Sequence, residues 1–154
     1  MLINPVYIDL EGADLTGKST LLKTTFHESE YSKIMCFHDR GVLTHFIYNK
    51  EFGRYREDTT MWLEEVVKFV RKNGIILLVA GDIELKKRHS LRSDDCFKLD
   101  AILKINEAYI TFYDKFLCDF ENVKKIYVDN KTPYEIYDEA RILYEKMFRK
   151  AMAW

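Results

Sequence analysis

The sequence is short of several residue types, and each shortage narrows what the chain can be. Only three cysteines occur in 154 residues. Cys36, Cys96 and Cys118 have no paired metal-ligand spacing, and an odd number in apolar surroundings suits reduced thiols in a cytoplasm. The four histidines, His27, His38, His45 and His89, form no zinc pattern. Neither sign of charge is in excess: 24 basic and 25 acidic side chains leave a formal net charge of -1. That balance excludes a strongly basic nucleic-acid coat and an acidic tail, and leaves room for a local basic patch. The longest apolar run, Ile75 to Ala80, is far shorter than the roughly 20 residues that span a bilayer. The opening stretch MLINPVYIDLEG has no basic segment followed by a long apolar one, so no signal peptide is expected. The expectation is a soluble, cytoplasmic protein with no membrane partner. Repeats, low-complexity tracts and obvious linkers are also missing. Glycine is scarce, six in all, and two of these bracket one short loop.

What is present is a globular composition. Hydrophobic residues make up 47% and charged residues 32%, which argues against disorder. The length suits one domain, able to bury roughly two-thirds of the surface its unfolded chain exposes. Val6–Glu11, Lys33–His38, Ile75–Ala80 and Val123–Val128 read as strands. Helices are predicted over about Lys18–His27, Val42–Phe52, Asp58–Lys72, Ile83–Arg92 and Leu99–Phe116. The third of these carries Leu63, Val66, Val67 and Val70 at helical spacing, and Asn73-Gly74 ends it. A last helix begins at the capping-box sequence Thr132-Pro133-Tyr134-Glu135 and carries the apolar stripe Ile136, Ala140, Leu143 and Met147. Strands alternating with helices imply parallel pairing through right-handed crossovers, hence a three-layer α/β domain of four to five strands. Its ligands belong beyond the carboxyl ends of the strands.

One loop at that edge carries a specific motif. Gly12-Ala13-Asp14-Leu15-Thr16-Gly17-Lys18-Ser19 matches G-x-x-x-x-G-K-[ST] without a mismatch, after a strand and before a helix. The glycines let successive N–H groups turn inward toward phosphate oxygens, and the helix N-terminus adds donors and a dipole. Lys18 is placed to reach the β- and γ-phosphates, and the Ser19 hydroxyl to ligate Mg²⁺. The fold class expected is therefore a P-loop NTPase domain.

From Ile8 through Thr20 the chain resembles the thymidylate kinase family, whose loop often reads E-G-x-D-x-x-G-K-S-T. Deoxynucleoside kinases are more distant relatives. The resemblance places Asp14 near the sugar of an acceptor nucleotide; otherwise Asp14 is a turn residue capping the loop. Asp39-Arg40, at the end of the second strand, resembles the D-R pair of that family. By resemblance Asp39 binds Mg²⁺ and Arg40 clamps a phosphate. Asp82, which follows the apolar strand and Gly81, is the rival metal acid and ranks below Asp39. The segment from Asp82 to Phe97 resembles the family's lid, about residues 86–98, with Asp95-Cys96-Phe97 as its final element and Asn106 to Tyr109 echoing the helix after it. A basic lid neutralises charge on the transferred group and excludes water. Arg92 is the first choice for that contact and Arg88, one turn earlier, the second. Some relatives carry an arginine where this chain has Leu15, and in those that lack it lid arginines stand in.

The resemblance has a hole. Thymidylate kinases place a strand, helices and base-contacting residues between the first helix and the D-R strand, where this chain has only the stretch from His27 to Cys36. Substitutes could come from Phe46, Tyr48, Arg54, Tyr55 and Arg56, each also readable as core or surface. The function implied is ATP- and Mg²⁺-dependent phosphoryl transfer to a nucleoside monophosphate. Two rivals stand beside it: a kinase with a hydroxyl acceptor, such as a nucleoside or a polynucleotide 5′ end, with Glu11 or Asp14 as unassigned bases, and a non-catalytic nucleotide-binding module. Thymidylate kinases are usually dimers, so Trp62 and its helix are read either as a dimer contact or as an ordinary core helix.

Overall fold

The structure is a computed structural model that describes residues 5–28, 31–53, 59–92 and 98–152. Four strands occur among the described residues: β1 (Val6–Glu11), β2 (Met35–Asp39), β3 (Gly74–Val79) and β4 (Val123–Tyr127). They form one sheet in the order β2-β1-β3-β4, with every neighbouring pair parallel. Parallel strands need crossovers. These contain α1 (Lys18–Glu28), α2 (Val42–Glu51), α3 (Thr59–Val70), α4 (Asp82–Ser90) and α5 (Leu99–Phe112), and α6 (Pro133–Met152) follows the last strand. Helix α1 packs with α6, while α2 packs with α3 and α5, so the sheet lies between two helical layers. Among the described residues no helix is long and apolar enough to cross a membrane.

The core obeys the sequence pattern. Every residue of β3 is buried, because helices cover both faces of this inner strand. The stripe Ile136, Ala140, Leu143 and Met147 on α6 is buried as predicted. Its capping box is reciprocal: Glu135 N donates to Thr132 Oγ1 and Thr132 N to Glu135 Oε1, both at 3.2 Å. Helix α3 stops at Val70, two residues before its expected end. Asn73 closes it, donating from Nδ2 to the Phe69 carbonyl and accepting Tyr7 N on Oδ1, so that it also fastens the helix end to β1.

The helix expected over Leu99–Phe116 departs from its prediction. The α-helix ends at Phe112, and Tyr113–Leu117 forms a π-helical turn in which Cys118 N donates to the Tyr113 carbonyl at 2.9 Å. The extra residue in that turn rotates the chain about the helix axis, and Leu117 enters the core with no exposed surface.

Strand β1 leads to β2 on one side, and the chain then crosses to β3 on the other. The sheet thus has a switch point at the carboxyl end of β1, where an open α/β sheet presents its ligand crevice.

Candidate phosphate-binding site

The loop that leaves β1 at this point is shaped by its glycines. Gly12 has φ +142° and Gly17 φ +89°, both outside the range of ordinary side chains, and Leu15 is left-handed at φ +70°. Thr16 Oγ1 donates to the Ala13 carbonyl at 2.8 Å and tightens the turn. Lys18, the first residue of α1, reaches back over the loop to the same carbonyl, with Nζ at 2.8 Å. Its side chain is almost wholly buried. Burial first, then the nearby Arg40 charge, lowers its pKa to about 8, against the opposing pull of Asp14, Asp39 and Glu11.

A cavity of about 540 Å³ opens above the loop. Its floor is Asp14, Leu15, Gly17, Lys18, Ser19 and Thr20. Asp39 and Arg40 come in from the end of β2, and Arg88, Leu91 and Arg92 from the end of α4. Gly12, Ala13 and Thr16 lie buried behind this floor. Ser19 Oγ donates to Asp39 Oδ2 at 3.4 Å, so two side-chain oxygens meet in the cavity. Asp82 is exposed at the start of α4 and does not line it.

Two of the arginines are held in place. Arg40, left-handed at φ +71°, pairs with Asp14 and lies 5.1 Å over the Tyr48 ring. Burial raises the Tyr48 hydroxyl to about 12, so it stays a neutral platform. Arg88 donates from Nε to Glu84 Oε1 at 2.9 Å and from Nη1 to the Leu15 carbonyl at 2.8 Å. A carbonyl turned outward by the left-handed Leu15 is thus gripped by the helix above it. Of the other acceptor-side candidates, Phe46 is in the core, while Arg54, Tyr55 and Arg56 lie outside the described residues, as do Asp95, Cys96 and Phe97. Trp62 is partly buried on α3 and packs at a tilt against His45, 6.1 Å between centroids.

Sequence reasoning missed the polar layer beneath this cavity. Asp9 and Glu11 alternate along β1 and so point to one face. Glu11 has no exposed surface. Its Oε1 accepts Gly41 N at 2.8 Å and Leu43 N at 2.9 Å, and its Oε2 accepts Thr44 Oγ1 at 2.6 Å and Tyr109 OH at 3.0 Å. Asp9 accepts Val42 N and His38 Nδ1, each at 2.9 Å. Burial raises both carboxyl pKa values, against the pull of these hydrogen bonds. Gly41 is required because a Cβ there would lie 1.9 Å from Asp9 Oδ2. The available signal was a charged residue at every second position of a strand that must be buried. Farther along the same edge, Asn106 pairs its amide with both Ala80 N and the Ala80 carbonyl, and Asp129 accepts Gly81 N.

No protein-family model and no curated protein matches the chain. Among solved structures it is similar to a crystal structure of the YorR protein from Bacillus subtilis in complex with phosphorylated GDP, with a TM-score of 0.70. The two sequences are 20% identical, and the match covers 94% of this chain and 98% of that one. The likeness is one of fold. The chain has a P-loop-type, three-layer α/β architecture.

Proposed function

We propose that the chain is an ATP-dependent nucleotide kinase of the thymidylate kinase-like kind, transferring the γ-phosphoryl group to a (deoxy)nucleoside monophosphate. The observation that carries this reading is the convergence of Lys18, Ser19, Asp39, Arg40, Arg88 and Arg92 on one cavity at the switch point of the sheet. The nucleotide complex of YorR, on the same fold, supports a nucleotide ligand.

In this reading the loop N–H groups, the α1 N-terminus and Lys18 hold the donor phosphates. A recess of about 110 Å³ shares Gly17, Thr20 and Arg88 with the main cavity and continues to Lys131, Pro133 and Ile136; it suits the donor base. Ser19 Oγ and Asp39 Oδ2 are oxygen donors of the type and number that Mg²⁺ takes from a protein when phosphates and water complete its shell. When bound, the ion offsets charge on the phosphate oxygens. Arg40, braced by Asp14 and Tyr48, faces the acceptor phosphate. Arg88 and Arg92, at the end of α4, neutralise the group in transfer and act as the lid of a single kinase domain.

A phosphate acceptor is favoured over a hydroxyl because its oxygen is already anionic and needs no base. The two acids considered for that role are engaged: Glu11 accepts four donors in a buried setting, and Asp14 is paired with Arg40. An ATP-consumption screen over monophosphates, nucleosides and 5′-hydroxyl oligonucleotides tests this. Turnover with monophosphates alone is expected. Turnover only with hydroxyl acceptors would overturn the reading, and ATP binding without turnover would favour a nucleotide-binding module.

Arg92→Ala is expected to lower kcat by about 10³-fold, the scale of an arginine on a transferring phosphoryl group, with ATP affinity changed by less than about threefold. Steady-state kinetics beside calorimetric ATP binding would check it; an unchanged kcat removes Arg92 from the reaction.

A further inference from the structure

We infer that Glu11 is a positioning residue that mounts the Asp39-Arg40 turn on the phosphate-loop strand, and that it works as an acceptor of hydrogen bonds rather than as a base. The inference rests on the kinase reading above and adds to it the part that sets the geometry of metal and phosphate ligands.

Helix α2 begins immediately after the Asp39-Arg40 turn, and its N-cap is Gly41, which has no side chain to cap the first N–H groups. The caps arrive from another strand. Glu11 Oε1 takes Gly41 N and Leu43 N, and Asp9 takes Val42 N. The turn itself is tied to the same strand by Arg40 N donating to the Leu10 carbonyl at 2.9 Å. Glu11 is also the last residue of β1, so the carboxylate that pins α2 is adjacent to Gly12 of the loop. Beside the strand pairing that holds Asp39 against Leu10, Glu11 thus ties the start of α2 to the Ser19 side of the cavity. Its second oxygen extends the connection to α5 through Tyr109, which also lies 3.3 Å from Thr44 Oγ1.

A base role asks for a carboxylate that can reach the acceptor and take its proton. Glu11 does not line the cavity, and each of its oxygens already accepts two donors. A glutamine can replace it: the amide oxygen keeps the two backbone N–H groups, while the amide nitrogen donates to Thr44 and Tyr109, whose hydroxyls rotate to accept.

The test compares wild type, Glu11→Gln and Glu11→Ala by calorimetric ATP binding in Mg²⁺ and in EDTA, and by turnover. Glu11→Ala is expected to weaken binding in Mg²⁺ by about tenfold or more, the usual effect of removing a group that orients a metal ligand, and binding in EDTA by less than about threefold. Glu11→Gln is expected to stay within about threefold in both and within about fivefold in turnover. Equal losses with and without Mg²⁺, or no loss in either, overturn the positioning role. A fall of about 10² or more in turnover for Glu11→Gln, with binding intact, makes Glu11 a base. If Glu11→Ala does not fold, Thr44→Val/Tyr109→Phe strips both donors from Oε2 and is expected to lose about three- to tenfold in Mg²⁺-dependent affinity; no loss overturns the inference. A wild type that binds ATP without turnover defeats the kinase reading alone, because the binding arms still decide the role of Glu11.

Discussion

Lys18→Ala is expected to lower turnover by about 10³-fold or more, the largest effect of any single change in the cavity. The ammonium sits inside the loop curl, where the donor phosphates would lie, and it donates to the Ala13 carbonyl of the loop itself. That bond is local and breaks easily in favour of an anion. The same burial works against the charge, which is why the pKa falls to about 8. The lysine is thus held where burial disfavours its charge and a bound anion would restore it. Lys18→Met separates the two roles, because it keeps the buried stem and removes only the ammonium. It is expected to lose turnover as Lys18→Ala does while melting no lower than wild type. Full turnover in either variant would refute the phosphate-loop assignment. A lower melting temperature for Lys18→Met would show that the ammonium stabilises the fold.

Gly12→Ala is expected to destabilise the fold by about 3–5 kcal/mol, from left-handed strain and a backbone clash together. An added Cβ would lie 2.3 Å from the Leu78 carbonyl oxygen and 2.9 Å from Thr16 Oγ1, at a φ of +142°. The Leu78 carbonyl belongs to the inner strand β3 and has no room to retreat. Gly17→Ala serves as the comparison. It too has a positive φ, +89°, but its nearest contact is Arg88 Nη1 at 3.7 Å, so strain acts without a clash and about 1–2 kcal/mol is expected. Denaturant titrations of both variants decide the matter. Equal losses would mean that the loop does not rest on β3 as tightly as these distances require.

The parts of the molecule legible in the sequence are those whose chemistry is local. The loop from Gly12 to Ser19 carries its own signature because glycine torsions, the lysine and the helix start must all fall within one turn of chain. The α6 capping box was readable for the same reason: Thr132 and Glu135 satisfy each other. What escaped was long-range satisfaction. Capping is usually a property of the residues next to a helix, and at α2 the neighbouring residue is Gly41. Nothing near it announces that Asp9 and Glu11, on another strand, supply the missing acceptors. The grip of Arg88 on the Leu15 carbonyl is similarly invisible, since a basic helix face reads alike whether it faces water or a backbone. The π-helical turn after Phe112 escaped because Ile102, Ile105, Tyr109, Phe112 and Phe116 fall at spacings compatible with an unbroken α-helix. The burial of Leu117 in the core is a tertiary demand that overrides it.

The cross-strand capping of α2 also makes the helix dependent on the sheet. A ten-residue helix with a glycine N-cap has little stability of its own. Its N-terminal acceptors lie on β1, so it is fully capped only where that strand is in place. Opening of α2 parts its N–H groups from Asp9 and Glu11, while Asp39, in register with Leu10, and Arg40, bonded through its N–H to the Leu10 carbonyl, stay on the sheet. The Tyr48 ring under Arg40 belongs to α2, so the arginine loses its platform in a local opening that leaves the sheet intact.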